Sequence, residues 1–143
     1  MERPNMKQNE PVTKIMSADL KTVHLGQQMS DVRRMLANNP FDHVPVMSGE
    51  TLIGMLSSSD VMRLTFDAGN ADPRSVDAVL DNQFTVEGTM TKELVTVRPS
   101  DTIRRAAELL VKSSVHCLPV LDQGKLVGIV TSTDLIRYLL DQY

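Results

Sequence analysis

Laid on itself with an offset of 74 residues, the sequence pairs Met16 with Met90, Leu20 with Leu94, Thr22 with Thr96, Val23 with Val97, Leu36 with Leu110 and Pro45 with Pro119. The same offset pairs Val46 with Val120, Leu52 with Leu126, Gly54 with Gly128, Ser58 with Ser132, Asp60 with Asp134 and Arg63 with Arg137. These are 12 identities across positions 16–63, without a gap, where ordinary composition would give about three by chance. A chain of 143 residues is long enough to bury a substantial core. It has to do so as two versions of one unit, which restricts the architecture more than any residue propensity.

Within each copy the hydrophobic period changes in a fixed order. Residues 94–97, and 20–23 in the first copy, form a short β-type run. Ser100 and Asp101 then offer N-cap chemistry to a helix with Ile103, Ala106, Ala107, Leu110 and Val111 at helical spacing. The first copy has Met29, Val32, Met35 and Leu36 on this helix, which must stop before Pro40. Residues 118–121 and 126–130, joined by Asp122, Gln123 and Gly124, read as a hairpin, and a second helix follows from Thr131 or Ser132 to about Leu140. The expected fold class is therefore α+β, each copy running strand, helix, strand, strand, helix. The expected organisation is a polar, mobile tail (1–10), a first repeat (11–66), a connector (67–85) and a second repeat (86–143). Gly69, Asn70 and Pro73 punctuate the connector before a helical turn over 75–80, and residues 11–16 and 84–90 look like helical lead-ins to the copies.

Composition removes several classes of function. The chain carries 15 basic and 18 acidic residues, and its aromatics are Phe41, Phe66, Phe84, Tyr138 and Tyr143, which argues against a nucleic-acid partner. Cys117 is the single cysteine, so no internal disulfide and no cysteine zinc site can form, and His24, His43 and His116 do not fall at metal-ligand spacing. No metal is expected. Neither an apolar leader nor a run of about 18 apolar residues is visible, so the expected location is the cytoplasm, away from membranes. No nucleophile triad, metal constellation or P-loop points to an enzyme. The nine methionines read chiefly as core filler.

Two patterns remain that can carry a ligand. Ser57-x-x-Asp60 and Thr131-x-x-Asp134 sit where a strand hands over to a helix, a junction that aims N–H groups and partial positive charge outward. An aspartate there can accept both ribose hydroxyls of a nucleotide, as an acidic residue does in dinucleotide-binding folds, and Ser57 or Thr131 can add a hydroxyl. The same spacing is also a capping box. One carboxylate has two oxygens, so the two roles are compatible.

The run Met90-Thr91-Lys92-Glu93-Leu94-Val95-Thr96-Val97-Arg98-Pro99-Ser100-Asp101-Thr102 resembles the opening of a CBS (cystathionine β-synthase) domain. His116-Cys117-Leu118-Pro119-Val120-Leu121-Asp122 with Gly128-Ile129-Val130-Thr131-Ser132-Thr133-Asp134-Leu135 is similar to its second half. The first copy matches through Met16-Ser17, His43-Val44-Pro45-Val46 and Gly54-Met55-Leu56-Ser57-Ser58-Ser59-Asp60, so the resemblance spans about residues 11–142. It implies a tandem pair packed with pseudo-twofold symmetry, a Bateman module. Such a module binds AMP, ADP or ATP in clefts between the copies, needs no cofactor, forms homodimers and regulates a separate protein target. S-adenosylmethionine or NAD as the ligand, or a ligand-free dimeric interaction module, are the alternatives.

By the same resemblance, one cleft joins Met55, Ser57 and Asp60 to Met90, Val95, Val115, His116 and Pro119. The other joins Ile129, Thr131 and Asp134 to Met16, Lys21, Phe41, His43 and Pro45. Phe41 is open to two readings, base stacking or simple packing. His43 and His116, whose imidazoles can donate to a phosphate, and Arg63 and Arg137, three residues after the aspartates, are the candidate phosphate partners. For the arginines the competing reading is a solvated helix surface.

Overall fold

The computed structural model describes residues 9–67 and 75–143, so Gly69, Asn70, Pro73 and most of the polar tail lie outside the described residues. Along the chain a 3-10 turn at Val12–Lys14 precedes β1 (Val23–His24), α1 (Met29–Ala37), β2 (His43–Ser48), β3 (Thr51–Ser57) and α2 (Ser58–Asp67). Within the connector lies α3 (Val76–Gln83), and after it come α4 (Val86–Thr89), α5 (Ile103–Ser113), β4 (Cys117–Asp122), β5 (Lys125–Thr131) and α6 (Ser132–Asp141). The α+β class is as expected and the first copy runs strand, helix, strand, strand, helix, whereas in the second the opening strand is reduced to a bridge; the helical turn expected over 75–80 is the start of α3.

The hairpins share one register. His43 faces Ser57, Pro45 faces Met55 and a bulge falls between Val46 and Met47. Cys117 faces Thr131, Pro119 faces Ile129 and the bulge falls between Val120 and Leu121. The β-type run before each helix is shorter than its sequence suggests. In the first copy β1 pairs in parallel with β2 and is extended by a hydrogen bond from Leu25 N–H to the Met47 carbonyl, 3.2 Å. The second copy has Pro99 at that position, with no N–H to donate, and retains only an isolated bridge between Val97 and Val120.

Two further expectations are corrected. The cap of α5 is Thr102, whose hydroxyl accepts from Arg105 N–H at 3.0 Å. The Asp101 carboxylate instead closes the turn behind it by accepting from Arg98 N–H at 2.7 Å. Ile103, Ala106 and Leu110 are buried, but Val111 is 83% exposed, because one residue beyond Leu110 turns about 100° away from the buried stripe.

The chain divides into two compact units that do not coincide with the two repeats. One takes the described residues up to Leu20 with Leu94–Tyr143, and the other the described residues of Lys21–Glu93. Each lead-in belongs to the core of the other repeat. Val12, ahead of the first repeat, is buried with Val97, Ala106, Leu110, Leu118, Val120 and Val130. Its counterpart Val86, ahead of the second, is buried with Val23, Met29, Val32, Leu36, Val44, Val46, Leu56 and Val61, joined by Leu80 of the connector. Backbone pairing explains the exchange. Ser17 bridges Ile129 on the free edge of β5, and Thr91 bridges Met55 on the free edge of β3, so each lead-in satisfies an edge that would otherwise present unpaired groups.

Glu10, expected in the mobile tail, is fastened through both its backbone and its side chain. Its backbone carbonyl accepts from Ile103 N–H at 2.8 Å. Its carboxylate accepts from the Tyr138 hydroxyl at 2.6 Å and from Lys14 Nζ at 3.1 Å. The carboxylate raises the Tyr138 pKa, chiefly through that hydrogen bond.

Candidate functional site

Each unit builds the same corner at the end of its hairpin. In the unit of residues 21–93, Ser57 Oγ accepts from Asp60 N–H at 3.1 Å, and Asp60 Oδ2 accepts from Ser57 N–H at 3.0 Å. In the other unit Thr131 Oγ1 accepts from Asp134 N–H at 3.2 Å, and Asp134 Oδ2 accepts from Thr131 N–H at 2.8 Å. Both motifs are therefore capping boxes. In each, only one carboxylate oxygen is used by the cap.

The second oxygen differs between the copies. Asp60 Oδ1 is 2.7 Å from Arg63 Nη2, whereas Asp134 Oδ1 is 3.6 Å from Arg137 Nη1. Both arginine side chains are about two-thirds exposed and paired to the aspartate one turn earlier, which joins the surface reading to a weak ion pair.

The residue two before each hairpin's first core position completes the corner. The Asp42 carbonyl accepts from Ser58 N–H at 2.8 Å, and the His116 carbonyl from Ser132 N–H at 3.0 Å. His43 and Cys117 thus stand at matching places, as do Asp42 and His116. His116 is exposed. Burial, with a smaller contribution from the Asp134 charge, pushes the Cys117 thiol up to about 12, so this side chain is a neutral wall and not an anion partner.

The edge of each corner is closed by a methionine lying across a glycine. A Cβ on Gly128 would come within 2.5 Å of Met16 Sδ and 3.1 Å of the Ser17 carbonyl oxygen. A Cβ on Gly54 would fall on Met90 Sδ in the same way, with Met90 Cγ 2.7 Å away. Only glycine permits this approach of a thioether to the strand. The glycines were overlooked as site residues in the sequence, although Gly54/Gly128 and Met16/Met90 are both identities at the 74-residue offset.

One unit therefore holds Met55, Ser57, Asp60, Arg63 and Met90 together with Lys21, Phe41, His43 and Pro45. The other holds Ile129, Thr131, Asp134, Arg137 and Met16 together with Val95, Val115, His116 and Pro119. Met55 and Ile129 are buried beside the bridges to Thr91 and Ser17. Phe41 and Met90 pack against the core of the first unit. Met16, Val95 and Val115 do so in the second. Pro45 and Pro119 are buried within their strands, while Lys21 is exposed. No cluster of three or more His, Cys, Asp or Glu suited to a metal occurs among the described residues. Among the same residues no helix is long and apolar enough to cross a membrane.

The family model described as CBS domain matches residues 12–67 and 85–141. The chain belongs to the CBS domain family. Its CBS repeats are 26% identical over 92% of the chain to the uncharacterized protein MJ1225 of Methanocaldococcus jannaschii, of which they cover 48%. They are 30% identical to a homoserine O-acetyltransferase of Methanohalobium evestigatum over 90% of this chain but only 24% of that protein. The chain thus spans half or less of the curated relatives it matches first. Among solved structures, CBSX2 in complex with AMP has a TM-score of 0.75 at 27% identity, covering 92% of this chain and 97% of that one. The CBS domain pair of MJ0100, in complex with 5'-methylthioadenosine and S-adenosyl-L-methionine, has a TM-score of 0.77 at 24% identity, covering 93% and 98%.

Proposed function

We propose that this CBS pair is a non-enzymatic regulatory module that binds an adenine nucleotide, AMP, ADP or ATP, and modulates a separate cytoplasmic protein. The observation carrying this reading is the duplicated corner. In each unit a cap holds an aspartate by one oxygen at a helix start, and the second oxygen meets only an exposed arginine side chain. That oxygen is the acceptor a ribose hydroxyl requires, and the thioether and aliphatic residues beside it offer an apolar face to a base. The AMP complex of CBSX2, similar over nearly its whole length, supports the class of ligand. A ligand that favours one arrangement of the repeats shifts the population toward it and changes the surface a partner meets.

A thermal-shift series with AMP, ADP, ATP, S-adenosylmethionine and NAD tests this. A ligand at a hundred times its Kd adds about 2.7 kcal/mol, a rise of several degrees for a chain of this size. The response should vanish in an Asp60→Ala, Asp134→Ala double variant that remains folded. No rise with any of the five would overturn the proposal.

A second reading, a dimeric interaction module, has its own observation. Met62 and Phe66 on α2 are 61% and 78% exposed, and their counterparts at the 74-residue offset, Ile136 and Leu140 on α6, are 59% and 67% exposed. Two equivalent helices carrying the same uncovered apolar pair suit a self-complementary contact between copies. Light scattering showing a dimer that Phe66→Glu with Leu140→Glu dissociates, without any nucleotide response, would favour this reading over the first.

A further inference from the structure

We propose that Glu10 and Tyr138 form a latch that closes the first lead-in onto α6, and that its opening frees residues 10 and 11 and the outer half of α6, residues 138–141, together while the core of the unit stays intact. The Tyr138 hydroxyl donates to Glu10 Oε2 at 2.6 Å across 128 positions of sequence. Lys14 Nζ takes the other carboxylate oxygen at 3.1 Å, and the Glu10 side chain is only 14% exposed, so this is a seated contact and not a chance meeting of surface groups. The Glu10 carbonyl in turn accepts from Ile103 N–H at 2.8 Å. Three elements, the lead-in, α5 and α6, therefore meet at one residue.

The other copy shows that the fold does not require polar groups here. At the 74-residue offset Glu10, Lys14 and Tyr138 correspond to Phe84, Gly88 and Leu64, and Phe84 and Leu64 pack against the core of their unit. Parting apolar side chains exposes carbon to water at a cost proportional to area. Parting a hydroxyl from a carboxylate hands both to water, which replaces most of the bond. The polar closure can therefore open without the core following. Its extent is set on both sides. On the lead-in, Ile15 packs against the core where the other copy has Thr89, and Met16 lies across Gly128, so the opening stops short of the bridge between Ser17 and Ile129. On α6, Asp134 is the one buried residue and Leu135 packs against the core. Both belong to the first turn, whereas Leu139 and Leu140 are exposed, so beyond that turn Tyr138 is the inward hold.

Native-state hydrogen exchange of the full chain, without any ligand, tests the latch independently of the nucleotide reading. Tyr138→Phe keeps the ring and removes only the hydroxyl. The amides of Ile103 and of residues 139–141 should exchange about tenfold or more faster in this variant, and by the same factor, because one opening event exposes them all. Ser17 and Ile129 amides, inside the seated end of the lead-in, should keep their wild-type rates. Glu10→Gln, which retains an acceptor but loses the charge, should give the same joint pattern with a smaller rise. No acceleration in either variant, acceleration at Ile103 or in α6 but not in both, or acceleration spread through the whole unit would each overturn the proposal. So would amides of residues 139–141 without protection in wild type, since the latch would then already stand open.

Discussion

Asp81 on α3 is the residue whose loss should most loosen the segment that delivers Met90 and Thr91 to the corner. Ser30, the second residue of α1 and only 2% exposed, donates its N–H to Asp81 Oδ1 at 2.8 Å and its hydroxyl to Asp81 Oδ2 at 2.7 Å. The carboxylate thus satisfies a helix-start N–H that has no partner within α1 and lies at the favourable end of that helix's dipole. Each hydrogen bond to a charged group contributes about 1.5–3 kcal/mol. Arg34 Nη2, 3.4 Å from Ser30 Oγ, can only donate and does not replace the lost acceptor. Asp81 is half-buried, so water recovers part of the loss. Asp81→Ala should therefore cost about 2–4 kcal/mol, and Asp81→Asn, which keeps one acceptor, roughly half as much. Neighbouring Asp77 makes a bond of equal length to Arg33, 2.7 Å, but both side chains are more than a third exposed, so Asp77→Ala should cost less than about 1 kcal/mol. Native-state hydrogen exchange of α1 and α3 amides reads this locally, with opening in Asp81→Ala about thirtyfold or more easier than in wild type. An Asp81→Ala cost below 1 kcal/mol, or an equal cost for Asp77→Ala, would refute the reasoning.

Gly128→Ala sets a Cβ against Met16 Sδ and the Ser17 carbonyl. It should cost about 1–3 kcal/mol, with the double variant Gly128→Ala, Met16→Ala recovering part of it. Thermal unfolding checks this, and an unchanged Tm in the single variant would be the contrary result. The Cys117 thiol, pushed up to about 12 by burial, should resist iodoacetamide in the native protein at pH 8 and react once unfolded in urea. Because its folded pKa lies above the unfolded one, its stabilising effect is complete below the ordinary thiol range and is lost as pH rises toward 12. Cys117→Ser should flatten that alkaline loss, as pH-dependent urea unfolding would show.

The parts of the fold legible in the sequence are those governed by neighbours in the chain. Hairpin register follows from alternation around Asp122, Gln123 and Gly124, where Gln123 and Gly124 both adopt positive φ as a tight primed turn requires. The boxes at Ser57 and Thr131 follow from local spacing. Thr102 was missed as a cap because Ser100 and Asp101 have equally suitable chemistry two and one positions earlier, and only the turn that Asp101 closes on Arg98 decides among them. The exchange of lead-ins was legible only through the family resemblance, which set Met90 beside Met55 and Met16 beside Ile129. Nothing within Val12–Lys14 or Val86–Thr89 indicates which hairpin edge it will join, since the choice is made by Ser17 meeting Ile129 and Thr91 meeting Met55.

A duplicated chain carries its own control, because identities at the 74-residue offset in excess of the chance few mark something both units require. Gly54 with Gly128 and Met16 with Met90 are of that kind, and the structure shows the shared requirement to be the seating of a thioether on a strand. Mismatches at structurally equivalent positions carry the complementary information. Leu25 against Pro99 sets where a ladder ends, with no consequence for the corner. Asp42 against His116 changes charge at a position where both backbones do the same work, receiving the first N–H of the following helix. Asp42 also adds a side-chain contact of its own there, its carboxylate accepting from Ser58 Oγ at 3.4 Å. Likeness between the copies thus marks what both units require, and difference marks what one unit adds.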